Sequence, residues 1–245
     1  MKRKSIMCIL LIGIMLVSNI NMVFAESSDE QYVSVNSHDY SFSNPALSLG
    51  LGARARVSVL NEDGTGGIAA GYMGGNAKLY FSNGILSKST GMQYTEKYMV
   101  GKTWYTNFST LSGKYYAKSQ VAFYNGNGYD KFDVNKSTIA TYSSSKSSTF
   151  EIDKLEIFAY KVNENGETYG SELYAEACGE LPDLIAATGT DGTMGYVRNS
   201  DLNPEPKTIE EAIELNKITE IPLYSSDGET VIGVFEFGGE SHPIE

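Results

Sequence analysis

The stretch "KYYAKSQVAFYNGNGYDKFDV", residues 114–134, constrains the fold more than any other part of this sequence. Two runs of alternating apolar and polar residues flank an Asn-Gly-Asn-Gly loop at 125–128, and Asn-Gly steps favour the left-handed backbone that hairpin turns require. With that loop, the predicted cross-strand pairs are Tyr124–Tyr129, Phe123–Asp130, Ala122–Lys131, Val121–Phe132, Gln120–Asp133 and Ser119–Val134. One face of the hairpin is then mostly apolar and the other is polar with tyrosines, which is typical of a half-buried antiparallel pair.

The neighbouring sequence also predicts short antiparallel strands. Apolar residues alternate over 77–81 before a turn at 82–84, and the Gly-rich residues 62–67 mark another turn. Short strands separated by Gly and Asn turns are typical of a small sandwich or barrel. The predicted fold class is therefore mainly β, an antiparallel sandwich or small barrel followed by a smaller β-rich α+β domain with one short helix.

The first residues carry the three-part pattern of a secretory signal peptide. Basic residues at 2–4 precede an apolar run over 6–17, and small residues stand at the −3 and −1 positions of a cleavage site after Ala25. The apolar run is short for a membrane span, and an uncleaved N-terminal anchor is the alternative interpretation. We expect residues 1–25 to be removed, and the mature chain to be secreted with no membrane span.

Removing the signal peptide changes the charge and the cysteine count. The remaining 220 residues carry 16 basic and 30 acidic side chains, net −14, which disfavours a nucleic-acid partner. Cys178 is then the single cysteine, so no intramolecular disulfide forms and the fold depends on ordinary burial. We expect Cys178 to be a small buried hydrophobe, with a reactive thiol or a dimer link as alternatives.

Charge also divides the mature chain near residue 150. Residues 26–150 have net charge +2 and 12 of the 17 tyrosines, whereas residues 151–245 have net charge −16. The serine-rich residues 141–150 lie at the border and have the composition of a linker. This predicts a flexible N-terminal segment at 26–50, a tyrosine-rich β domain at 51–140, a linker at 141–150 and an acidic β-rich domain at 151–245.

The acidic part contains one clear helix and a terminal hairpin. Residues 155–159 alternate as in a strand, and "SELYAEACGEL" has the pattern of a short helix that ends before Pro182. Thr208 and Glu211 form a Thr-x-x-Glu capping box that opens a helix over 209–217. The sequence "EIPLYSSDGETVIGVFEF" predicts strand, turn and strand, with Asp227-Gly228 at the turn.

The glycines at 189, 192 and 195 in "GTDGTMGYVRNSDL" raise the possibility of a phosphate-binding loop. Such a loop precedes a helix and usually contains a lysine, but here a strand-like Tyr-Val-Arg follows and no lysine lies between Lys161 and Lys207. The pattern therefore predicts a hairpin turn at Asp191-Gly192 rather than a nucleotide site.

No catalytic or metal-binding pattern is found in the sequence. The only two histidines, His38 and His242, are far apart in sequence, and we expect both to be unpaired surface residues. There is no Gly-x-Ser-x-Gly elbow, and no acidic loop has the ligand spacing of a calcium-binding loop. We therefore predict a protein that is not an enzyme and has no metal or cofactor, although the abundant carboxylates leave an unrecognised hydrolase open.

The polar face of the 119–134 hairpin is the best candidate binding surface. Tyrosine rings next to amide and amine donors suit stacking on sugar rings or docking to a protein, because rigid rings lose little entropy on binding. The alternatives are that these tyrosines form ordinary cross-strand pairs, or that another sheet covers them. The candidate ligand-binding residues are Tyr116, Lys118, Gln120, Tyr124, Tyr129 and Lys131.

Two stretches, "GYMGGNAKLYFSNGILSKSTGMQY" and "PDLIAATGTDGTMGYVRNSDL", resemble regions of poorly characterised secreted proteins of Gram-positive bacteria. In addition, "GYVRNSDL" resembles the closing strand of bacterial SH3-like domains, and "YYAKSQVAFYNGNGYDKF" resembles secreted bacteriocins of the lactococcin type. These resemblances imply an exported β protein without assigning an activity.

We therefore expect a secreted, non-catalytic binding protein that acts at or outside the cell envelope. Its expected partner is a cell-wall glycan or an envelope protein. A bacteriocin-like antagonistic protein and an extracellular hydrolase are the alternatives.

Overall fold

The computed structural model describes residues 23–24, 29–48, 51–64, 66–143 and 160–244. These residues are mainly β, with antiparallel strand pairs and only short helices. The strands along the chain are β1 (Val23–Phe24), β2 (Gln31–Val35), β3 (His38–Ser43), β4 (Ala46–Ser48), β5 (Ala53–Asn61), β6 (Met73–Asn76), β7 (Lys78–Phe81), β8 (Leu86–Ser89), β9 (Gln93–Tyr94), β10 (Gly101–Thr106), β11 (Gly113–Ala117), β12 (Gln120–Tyr124), β13 (Tyr129–Asp133), β14 (Ala140–Tyr142), β15 (Lys161–Val162), β16 (Thr168–Gly170), β17 (Leu184–Thr188), β18 (Met194–Arg198), β19 (Glu220–Tyr224), β20 (Val231–Glu236) and β21 (Gly239–Ile244).

Helices are confined to the second part of the described chain. The α-helices are α1 (Ala175–Cys178), α2 (Asn199–Leu202) and α3 (Ile209–Glu214), and the 3₁₀ helices are Glu172–Tyr174 and Leu215–Lys217. The expected helix over 209–217 is thus α3 with its 3₁₀ extension, and the short helix expected before Pro182 is also present. The predicted mainly β fold class is confirmed, and the structure adds one α-helix that the sequence did not predict, the single turn α2.

The strands form three sheets. In the first, β1, β4, β5, β10 and β21 follow one another, with β3 beside β5 and β2 beside β3. The second has the order β14, β11, β7, β8, β17, β18, β19 and β20, with β16 on β17 and β15 on β16. The third is a four-stranded sheet of order β13, β12, β6 and β9. This third sheet holds most of the candidate binding residues.

The predicted hairpin over 119–134 is confirmed with its register. Tyr124 pairs with Tyr129, Ala122 with Lys131 and Gln120 with Asp133, across a loop that contains Gly126 and Gly128 in the positive-φ region. The turns at Asp191-Gly192 and Asp227-Gly228 are also confirmed, because each joins an antiparallel pair, β17–β18 and β19–β20.

The longest strand connects the hydrophobic clusters of the first part. Along β5 the odd-numbered residues are buried and the even-numbered residues are half-buried, the alternation expected of a strand with one covered face. Ala53 and Ala55 belong to a cluster with Leu79 and Phe81, whereas Val57 and Val59 belong to a second cluster. The single tryptophan, Trp104, is fully buried in this second cluster.

A further cluster contains residues from both sides of the predicted border at 141–150. Its members from the first part are Tyr80, Leu86 and Tyr116, and its members from the second part are Ile185, Ala187, Val197, Leu202, Ile221, Leu223, Phe235 and Phe237. We call it the joint cluster. Strand β21 also returns to the first part and pairs with β10 over six residue pairs. The predicted border therefore does not divide the packing of the described residues.

Two other expectations differ from the structure. Residues 26–50 were expected to be flexible, but the described residues in this range form β2, β3 and β4, with Val35, Tyr40 and Phe42 buried against the first part. Cys178 was expected to be buried, but it is exposed because it ends α1, whose neighbouring turn lies on the surface. The predicted strand at 155–159, most of the predicted linker and nearly all of the predicted signal peptide lie outside the described residues.

Candidate functional site

The tyrosines of the β12–β13 hairpin belong to a continuous row of aromatic rings. Tyr124 and Tyr129 have ring centroids 5.5 Å apart, and Tyr72 lies 5.3 Å from Tyr124 on the other side. His38 continues the row, with its ring centroid 5.7 Å from that of Tyr72. These four residues, His38, Tyr72, Tyr124 and Tyr129, are here called the aromatic row, and each is half-buried with part of its ring open to solvent.

The rings are tilted or edge-to-face rather than stacked. The interplanar angles along the row are 85°, 62° and 60°, which are the arrangements that aromatic pairs prefer. Because neighbouring rings are inclined, the row presents a sequence of ring faces and ring edges instead of one flat platform.

Hydrogen bonds and packing hold the rings of Tyr124 and Tyr129 in place. The hydroxyl of Tyr129 donates to the carbonyl of Gly71 at 2.7 Å, and the hydroxyl of Tyr124 donates to the carbonyl of Gly126 at 3.1 Å. The inner side of Tyr129 packs on the buried ring of Tyr94, with centroids 4.6 Å apart. Burial raises the pKa of Tyr129 above its usual value, so this ring stays neutral at physiological pH.

A glycine makes the close packing beneath the row possible. Gly74 in β6 lies against Tyr94, and a Cβ added there would be 2.6 Å from the Tyr94 ring, closer than carbon atoms approach. Gly74 is therefore a packing requirement, because it lets the ring that supports Tyr129 approach the strand closely.

His38 is paired, contrary to expectation. Its Nδ1 lies 2.5 Å from the carboxylate of Asp63, which also accepts a hydrogen bond of 2.6 Å from the amide of Asp39. Burial raises the pKa of Asp63, but the bonds from Asp39 and His38 outweigh it, so the pKa of this carboxyl lies below its usual value. Asp63 thereby fixes the imidazole at the end of the row. His242 is exposed, as expected, and its Nε2 lies 3.6 Å from Glu240.

Lys131 and Gln120 lie on the same hairpin but border a groove instead of the aromatic row. The Lys131 Nζ donates to the carbonyls of Asn203 and Pro204 at 3.0 and 2.7 Å, and burial lowers its pKa. Gln120 donates to Asp133 at 3.2 Å, while its Oε1 is buried and has no hydrogen-bond partner among the described atoms. The segment 203–206 thus partly covers this face, whereas the alternative considered from the sequence was cover by another sheet.

The groove is open, polar and about 660 Å³ in volume. Its walls are formed by Gln120, Lys131, Glu167, Leu181, Asp183, Arg198, Asn199, Ser200, Asn203, Pro204 and Glu205. Lys131 and Glu205 also border a second hollow of about 240 Å³ that reaches Tyr129 and Lys207. The second hollow therefore lies between the groove and the aromatic row, which it reaches at Tyr129.

Two of the predicted site residues lie elsewhere. Tyr116 was expected to face outward with Tyr124, but it is 2% exposed and stacks on Tyr80 with ring centroids 5.3 Å apart. Lys118 pairs with the buried carboxylate of Glu172 at 3.3 Å. The physical reason is that β11 and β12 belong to different sheets, so the alternation that places Tyr124 outward does not continue across residues 118–119.

Sequence reasoning missed Tyr72 and His38, because they come from separate parts of the chain. Tyr72 immediately precedes β6, the strand that pairs with β12, and its neighbour Met73 lies opposite Phe123. Knowledge of that strand pairing would have placed Tyr72 beside Tyr124. No local signal joins His38 to the hairpin.

The described residues contain no group of three or more His, Cys, Asp or Glu side chains placed to hold a metal ion. In the same part of the chain, no helix has the length and apolar character needed to cross a membrane. Comparison with known proteins adds nothing to these observations: no protein-family model, no curated protein and no solved structure matches the chain.

Proposed function

We propose that this chain is a secreted, non-catalytic binding protein of the cell envelope, and that the aromatic row is its ligand-binding surface. The ligand we propose is an extended cell-wall glycan, with an envelope protein as the alternative outcome of the test below. The signal-peptide pattern at residues 1–25 supports export.

The observation that carries the proposal is the half-buried aromatic row itself. Three of its rings are held by hydrogen bonds and the fourth, Tyr72, by packing before any ligand arrives, so little side-chain entropy is lost when a ligand stacks on them. Successive centroids lie 5.3 to 5.7 Å apart, so an elongated ligand meets several rings in turn.

The groove beyond Tyr129 adds polar groups to the same surface. The walls of the groove include the side chains of Gln120, Asn199 and Ser200, whose amide and hydroxyl groups suit a ligand that exchanges hydrogen bonds. Sugar hydroxyls have that chemistry. Apolar ring faces beside a polar groove therefore favour a glycan over a purely apolar ligand.

Retention of the purified mature chain on insoluble cell-wall glycan tests the proposal. Tyr124→Ala and Tyr72→Ala each remove one ring from the row, and each should weaken the affinity measured by retention about fivefold, since a stacked aromatic contact is worth about 1 kcal/mol. Tyr98→Ala is the matched control, because Tyr98 is 65% exposed and lies outside the row. We expect it to bind like the native chain.

The urea unfolding midpoint of each variant checks that it still folds. We expect a small change for Tyr124→Ala, because the hydroxyl of Tyr124 makes a single hydrogen bond, to the carbonyl of Gly126. Equal retention of the native chain and both row variants would refute the glycan surface. Retention by protein-containing envelope but not by purified glycan would instead assign the row to an envelope protein.

A further inference from the structure

Lys78 is the one lysine or arginine of the described residues that is almost fully buried, with 2% of its surface exposed. It is the first residue of β7 and lies between Ala77 and Leu79, which belong to two different apolar clusters. A lysine at this position would normally point to solvent, but every residue of β7 is buried. Its amine therefore ends inside the protein, beneath the segment that follows α2.

The Lys78 amine has unusually few partners for a buried cation. Its Nζ makes one hydrogen bond, to Oδ1 of Asn203 at 2.9 Å, and no carboxylate of the described residues lies within ion-pairing distance. Of the two carboxylates that attract it most, Glu172 pairs with Lys118 instead and Asp133 is exposed. A buried ammonium has three donors and a large desolvation cost, so a single amide partner does not satisfy it.

Burial accordingly lowers the pKa of Lys78, against the weaker opposing effect of Glu172. Loss of the charge removes the desolvation cost and leaves an amine with a free electron pair. Such an amine is a nucleophile, as in enzymes that activate lysine by desolvation.

The side chain of Asn203 is held in one orientation toward this amine. Its Nδ2 donates to Oδ1 of Asn199 at 2.7 Å, which directs its Oδ1 to Lys78. Its backbone carbonyl accepts from Lys131, so the backbone of Asn203 is fixed as well. The hydrogen bond keeps the amine against Oδ1, one bond away from the carbon Cγ, so the two reacting groups are held together within one molecule.

We propose that Lys78 and Asn203 react to form an intramolecular amide bond. The Nζ of Lys78 attacks Cγ of Asn203, and the Cγ–Nδ2 bond breaks. The Nδ2 leaves as ammonia and takes up the proton that Nζ gives up, so atoms and charge balance without an oxidant or a cofactor. The bond joins β7 to the segment after α2 across 125 residues of sequence.

Intact-mass measurement of the purified native chain tests this directly. The expected mass is lower than the sequence mass by one molecule of ammonia. Trypsin does not cleave after an acylated lysine, so digestion should give residues 57–88 joined to residues 199–207 as one branched peptide. The Lys78→Met and Asn203→Ser variants should each have their full sequence mass.

Lys102→Met is the matched control, because Lys102 is also a half-buried strand lysine whose pKa burial lowers, but its amine lies over the ring of Trp104 and plays no part in positioning Asn203. This variant should retain the ammonia loss and the branched peptide. A native chain with its full sequence mass would overturn the proposal, and so would an ammonia loss that maps to other residues or persists in Lys78→Met. The native measurement alone decides the matter if Lys78→Met does not fold.

Discussion

Replacing Leu223 with alanine tests whether the strands before and after residue 150 unfold as one unit. Leu223 lies in β19 and is fully buried in the joint cluster, which also contains Tyr80 and Leu86 of the first part. Removing a buried leucine side chain costs about 3 kcal/mol, from lost burial and from the cavity that remains. With a denaturant slope of about 3 kcal/mol per M of urea for a chain of this size, the unfolding midpoint should fall by about 1 M.

The single tryptophan makes the assay specific for the first part of the chain. Trp104 lies in β10, is fully buried and belongs to a cluster that does not contain Leu223. Its strand pairs with β21 from the end of the chain, with Trp104 opposite Ser241. If both parts form one cooperative unit, Trp104 fluorescence and far-UV circular dichroism should shift together by the same amount.

Val231→Ala provides the control in the adjacent strand β20. Val231 is 58% exposed, so its truncation should change the free energy of unfolding by less than about 0.5 kcal/mol. The reasoning is refuted if Leu223→Ala leaves the Trp104 midpoint unchanged while circular dichroism reports a separate, earlier transition. That result would mean that the acidic part unfolds alone despite the shared cluster.

Two other predictions concern stability. Thr208→Ala should lower the free energy of unfolding by about 1 kcal/mol in a urea titration, because the Thr208 hydroxyl caps α3 by accepting from the amide of Glu211 at 3.1 Å. Thr208→Ser keeps this hydroxyl and should be nearly neutral in the same titration. The hydrogen bond and charge of Arg198 hold the pKa of Glu167 below its usual value of 4.5. The ionised Glu167 carboxylate therefore stabilises the fold at pH values above the unfolded-state pKa, and this stabilisation is lost as the pH falls through the lower folded-state pKa. Between about pH 6 and about pH 3 the native chain should therefore lose more stability than Glu167→Gln, and equal losses would contradict this assignment.

Features encoded by adjacent residues could be predicted from the sequence. The register of the β12–β13 hairpin follows from an Asn-Gly loop and from alternation on both sides of it, and the structure has the same pairs. The cap of α3 follows from Thr208, although Glu211 accepts from the amide of Lys207 rather than from that of Thr208. In each case the physical cause lies within a few residues of chain.

Features that depend on distant strand pairing could not be predicted. The chain leaves one sheet at Ala117 and enters another at Gln120, and no residue type at 118–119 marks this change. The polar, exposed pattern of β21 gives no indication that Gly239–Ile244 pairs with β10. The candidate surface was only partly predicted for the same reason. Two of its six predicted residues, Tyr116 and Lys118, precede the change of sheet, and two of the four residues of the aromatic row, Tyr72 and His38, come from other parts of the chain.

The segment 203–206 connects the two proposals physically without making either depend on the other. It forms one wall of the groove and of the hollow that reaches the aromatic row at Tyr129, and Lys131 holds it through two backbone carbonyls. A covalent bond from Lys78 to Asn203 would fix this wall before a ligand arrives. The segment would then lose little conformational entropy on binding, which would favour affinity. The ring of Tyr124 is held by its strand and its hydrogen bond to Gly126, and the ring of Tyr72 by packing against the cluster that contains Trp104. A missing cross-link would therefore leave the aromatic row in place, and a failure to bind glycan would leave the reactive geometry at Lys78 unchanged.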